Sequence, residues 1–127
     1  MTDKVQYWLD LAKEDISVAQ VLLDNGKFLH CGFFCHLIVE KALKAKIAAS
    51  GCMPPKEHNL LKLAELGLVL NKMSDEQKAL LAEFNPLQLE ARYPSYKQGV
   101  SEILIPKRCV QFLRDAKEMV LWIEQLL

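Results

Sequence analysis

At 127 residues the chain can bury one core without disulfide or metal staples and is too short for two, so one helical domain over residues 1–127 is expected. Half of it is hydrophobic (51%) and a quarter charged, with 16 basic against 16 acidic side chains. That is globular composition with no net field, so any anion-binding role has to rest on a local patch. The first residues lead straight into an amphipathic segment with no secretory pattern, and no apolar run is long enough to span a bilayer, so no membrane association and a cytoplasmic location are expected.

Apolar residues Val5, Leu9, Ala12, Ile16, Ala19 and Leu23 recur at steps of four and three and predict a first helix, stopped by Asn25-Gly26. A second stripe of Trp8, Leu11, Val18 and Leu22 lies beside it with Asp15 in its midst. A carboxylate there wants a partner if buried, and Lys41 or Lys44 can supply one; the alternative is simple exposure at the edge of the stripe.

The second helix runs from near Lys27 to Ser50 and is apolar around most of its circumference, from Phe28 to Ile47. Such a helix needs neighbours on more than one side, which makes it the central element or part of a subunit interface. Asn59 is placed to cap a short helix that fades at Gly67. Ser74 with Gln77 has the form of a capping box and opens a helix through Leu87, kinked at Pro86. Residues 99–105 read as a connector, and Pro106 starts a final helix reaching Leu127. No segment alternates as a strand does. The fold class is all-α: an up-and-down antiparallel four-helix bundle with an additional short helix.

Few residues point to chemistry. His36, Glu40 and Lys44 stand four apart on the second helix with Lys41 beside them, a file that suits either an acid-base relay or a salt-bridged edge. His58 lies in the loop before the Asn59 cap, free to meet a ligand or a nearby carbonyl. Lysines 41, 44, 46, 56 and 62 suggest a modest basic patch. Arg92, Tyr93 and Tyr96 offer a guanidinium fork for phosphate and rings for stacking on a base; alternatively, they pair with Glu83 or Glu90 and cap the bundle. Cys31, Cys35 and His36 lack a second ligand pair, so no metal site is expected, and the four cysteines are expected to be reduced.

The segments Trp8-Leu9-x-x-Ala12-x-x-Asp15, Phe34-Cys35-His36 leading into Val39-Glu40-Lys41-Ala42-Leu43-Lys44-Ala45, His58-Asn59-Leu60, Asn85-Pro86 and Glu90-Ala91-Arg92-Tyr93-Pro94-Ser95-Tyr96 resemble the HEPN domain family, from about Trp8 to Ile123. The resemblance implies a helical bundle, commonly a homodimer, that binds nucleotide or RNA beside a minimal nucleotidyltransferase in toxin-antitoxin-like pairs. It also implies metal-independent ribonuclease activity in members where an arginine is followed within one or two turns by a histidine. Here the arginines are Arg92, Arg108 and Arg114 and the histidines His30, His36 and His58, so every histidine precedes every arginine. His36-Leu37 also stands where relatives often carry glutamines.

The expectation is therefore a binding module and not an enzyme of the usual family kind, with Arg92, Tyr93, Tyr96, Lys44 and His58 as candidate ligand contacts. Asp15, His36, Glu40 and Lys41 form a candidate polar network. No cofactor is expected beyond a nucleotide ligand. The alternatives are a ribonuclease with His58 as an atypical base beside Arg92, and a structural oligomerisation domain.

Overall fold

The computed structural model describes residues 1–88 and 106–127; Arg92, Tyr93, Tyr96 and the connector over 99–105 lie outside the described residues. Among the described residues the chain is all helical: α1 (Asp3–Asp24), α2 (Phe28–Ala49), α3 (Leu60–Leu66), α4 (Asp75–Phe84) and α5 (Pro106–Gln125), with a 3-10 turn at Leu70–Lys72. None of these helices is long and apolar enough to cross a membrane.

Local chemistry sets most of the ends. The Thr2 side chain accepts from the Val5 amide, which starts α1 two residues before the first apolar position. Gly26, with φ +71°, takes the left-handed turn after the Asn25 cap. The Asn59 side chain accepts from the Leu61 and Lys62 amides, and Ser74 and Gln77 form both halves of the capping box that opens α4. Pro106 is the first residue of α5, where its missing N–H is no loss.

The fourth helix differs from expectation. It stops at Phe84 instead of continuing kinked to Leu87. The Asn85 amide still bonds to the Leu81 carbonyl, but Pro86 has no N–H to continue the ladder and its ring would crowd the Ala82 carbonyl, so the helix breaks. The 3-10 turn is also unanticipated. Before it, Leu68 and not Gly67 adopts the left-handed backbone, with φ +61°. At Gly67 itself a Cβ would crowd the Leu63 carbonyl oxygen at 3.3 Å and stand in ordinary contact with the Ile47 side chain at 3.6 Å.

Helix α2 is central, packing against α1, α3, α4 and α5. Its Ile38, Val39, Ala42 and Leu43 are fully buried and form one core with Leu60, Leu63, Leu81, Phe84, Leu113 and Ile123 from the surrounding helices. The circumferential apolarity of α2 follows from these neighbours. It also means that polar side chains on α2 cannot all face water, and this places the site.

Candidate functional site

Helix α2 carries His36, Glu40 and Lys44 on one stripe, and all three are buried, unlike an ordinary salt-bridged edge. The fourth member, His58, comes from the loop before α3. Its placement is built locally: the Glu57 carboxylate accepts from the His58 and Asn59 amides at 3.0 and 3.3 Å. The Asn85 side chain accepts from the Leu60 amide and donates to Asn59 Oδ1 at 3.2 Å, tying the loop to the end of α4.

Glu40 is the hub. Its Oε1 lies 2.9 Å from His58 Nδ1 and its Oε2 accepts from Lys44 Nζ at 3.2 Å, so both carboxylate oxygens are engaged, by two elements of the fold. An ionised carboxylate only accepts, so His58 Nδ1 carries the shared proton. Its Nε2 is then the ring nitrogen free for other contacts, on a side chain 46% exposed. The Lys44 ammonium also sits 5.5 Å from the centroid of the Trp8 ring on α1.

His36 holds the backbone of the same loop. Its Nε2 is 2.8 Å from the His58 carbonyl oxygen, which can only accept, so Nε2 bears the proton. That leaves Nδ1 without a hydrogen-bond partner, 3.7 Å from Glu40 Oε1. Burial pushes the His36 pKa below its ordinary value of 6.5, with the nearby Glu40 charge opposing it.

The sign of the pH effect follows. The unfolded chain takes up a proton on His36 near its ordinary pKa, while the folded protein resists it. The contribution is therefore complete above about pH 6.5 and is lost as pH falls from there toward the lowered folded value. Urea midpoints measured across that range should fall on acidification, and His36→Gln, which keeps a donor for the His58 carbonyl, should flatten the fall.

Asp15 and Lys41 meet as an ion pair of 2.5 Å between α1 and α2, one position along α2 from Glu40. The suggested basic patch does not form one surface. Lys41 is turned to Asp15, Lys44 to Glu40, and Lys46 to the Gly67 carbonyl at 3.2 Å. Lysines that lie near one another in sequence are spent on three different helix contacts.

Lys44 and His58, proposed from sequence as ligand contacts, are thus brought together through Glu40, while their distances to Arg92, Tyr93 and Tyr96 fall outside the described residues. Three participants were missed, among them Glu57, whose carboxylate holds the His58 and Asn59 amides. Trp8 read only as an apolar position, and Asn85 only as a companion of Pro86. Asn85 had a legible cue, because an asparagine before proline favours a turn at a helix end.

The HEPN domain model matches residues 5–126. The chain belongs to the HEPN domain family. Two solved structures share this HEPN fold over nearly the full length. The crystal structure of TT1696 from Thermus thermophilus has a TM-score of 0.83 at 19% identity, over 99% of this chain and 100% of its own. The structure of ST0689, an archaeal HEPN homologue, has a TM-score of 0.77 at 18% identity, covering 98% of both chains. At such identities the likeness is one of fold. No curated protein matches the chain.

Proposed function

We propose that this HEPN domain is a nucleotide-binding module, the homodimeric companion of a minimal nucleotidyltransferase in a two-component system, without the ribonuclease activity that an arginine-then-histidine motif gives other members. The observation that carries the reading is the double engagement of Glu40, which fixes His58 with its Nε2 free and holds Lys44 against Trp8. Lys44 is buried and paired, so it supports the site. His58 and Arg92 make the contacts to phosphate, and Tyr93 and Tyr96 stack on the base.

Titration calorimetry with ATP, GTP and the other common nucleotides tests this. A saturable heat with at least one of them is expected, weakened about tenfold or more by Arg92→Ala through loss of charge-assisted hydrogen bonds. No heat with any nucleotide, together with unchanged capture of a nucleotidyltransferase by Arg92→Ala, would sink the proposal.

One observation favours a second reading. A carboxylate that orients an imidazole through Nδ1, leaving Nε2 outward, is what a general base requires. Cleavage of single-stranded RNA by the wild type but not by His58→Ala, with metal chelated, would replace the binding-only reading with an atypical ribonuclease.

A further inference from the structure

Outside the histidine cluster, the N-terminal turn of α1 and the loop before α3 enclose an open groove of about 520 Å³. Its floor and walls are the rings of Tyr7 and Trp8 on one side and Met53, Pro54 and Pro55 on the other. The Trp8 ring is held in place by Lys44 beneath it and by the edge of Tyr7, whose centroid lies 5.4 Å away at 80°. The two prolines restrict the opposite wall. With Trp8 held and the prolines restricted, those parts of the slot cost little to order when it is filled.

Lys4 and Lys56 flank this slot from opposite elements, and neither has an ion-pair partner among the described residues. The one carboxylate lining the groove, Asp3, lies in the first turn of α1, where the helix amides offset its charge. In a chain with no net charge, the groove therefore presents local positive potential around an apolar floor.

Two features choose the occupant. Tyr7 is 58% and Met53 84% exposed, and Met1, two residues before Asp3, is 74% exposed; apolar surface standing clear of the slot is more than a small molecule inside it would cover. A second copy docking through the same face would gather two copies of Lys4 and Lys56 into one interface, with Asp3 the one carboxylate of the groove to offset them. A protein segment with carboxylates around one large apolar side chain satisfies both the floor and the rim.

We propose that the groove between Trp8 and Pro54-Pro55 is a docking site for an acidic segment of a partner protein, anchored by an aromatic or aliphatic side chain between the two walls. The groove shares Trp8 and Lys44 with the nucleotide reading, but docking rests on its apolar walls with Lys4 and Lys56, so that reading can fail without affecting it.

The test is selection of short random peptides on the folded full-length chain, followed by affinity measurement of the selected peptides by fluorescence anisotropy. Expected is a consensus of Asp or Glu around one aromatic or aliphatic residue. Its binding should weaken about tenfold in the Lys4→Glu, Lys56→Glu double variant and similarly in Met53→Asp. Met53 is exposed, so that variant leaves folding intact.

No enrichment over an empty surface, a consensus without acidic residues, or binding indifferent to these changes overturns the proposal. So does a dimer that Met53→Asp dissociates, which would give the face to a second copy. Quenching of Trp8 by a nucleotide that Lys56→Glu abolishes would make the groove a small-anion site and overturn it as well.

Discussion

Glu40→Ala is expected to lower the free energy of unfolding by about 3–5 kcal/mol, a large part of the stability of a domain this size. Glu40 and Lys44 are almost wholly buried, with 6% and 7% of their side chains exposed. Deleting the carboxylate leaves a largely buried ammonium without its counter-charge and removes the acceptor of His58 Nδ1 at the same time. Two changes with one cause should therefore appear together, a lower urea midpoint and a loosened loop before α3.

The double variant Glu40→Leu, Lys44→Met separates charge from packing. If an unpaired buried charge is what destabilises Glu40→Ala, removing both partners should recover most of the loss. A drop of less than about 1 kcal/mol in Glu40→Ala would show the pair to be as weak as a surface salt bridge.

Phe84→Ala should destabilise the fold by a comparable amount, about 3–5 kcal/mol, for an apolar reason. Phe84 ends α4 fully buried, with its ring edge-on to Phe112 of α5 at a centroid distance of 5.2 Å. It and Leu81 are the two buried residues of α4, so its loss removes much of what docks that helix. The consequence reaches the site. Asn85, the next residue, bonds to the Leu60 amide and to Asn59, so an undocked α4 releases the cap of α3 just after His58. Hydrogen exchange should show the Leu60 amide opening with α4 in Phe84→Ala, whereas a loss confined to α4 and α5 would contradict that link.

Much of the fold was legible because its signals are local. Asn59, the Ser74 and Gln77 pair, Asn25-Gly26 and Pro106 act on backbone groups within a turn of themselves, so sequence places them correctly. The end of α4 misled because proline is compatible with either a kink or a break, and the choice depends on what the following residues pack against. The helix does fade at Gly67 as its sequence suggests, but the left-handed residue is Leu68, for which no local sequence signal exists.

The candidate site was legible as a stripe and not as a cluster. His36, Glu40 and Lys44 line up by helical spacing alone, but their burial depends on α2 being surrounded. The apolar circumference of α2 was the cue, since charges on such a helix have few routes to water. His58 could not be joined to Glu40 from sequence, because the loop that carries it is positioned by Glu57, Asn59 and Asn85 acting across the fold. Asp15 left Lys41 and Lys44 open as partners until the rotation of α1 against α2 gave it to Lys41.

On the proposed function, Glu40 holds His58 ready to receive a nucleotide and not to cleave RNA. Histidine-resolved NMR at neutral pH, with nucleotides and then single-stranded RNA added to the same sample, tests it most directly. Saturable shifts of the His58 ring with at least one nucleotide, lost in the Glu40→Leu, Lys44→Met double variant that lacks the acceptor of Nδ1, are expected, with RNA that stays intact. A His58 ring that no nucleotide moves, beside RNA that is cleaved, would contradict it.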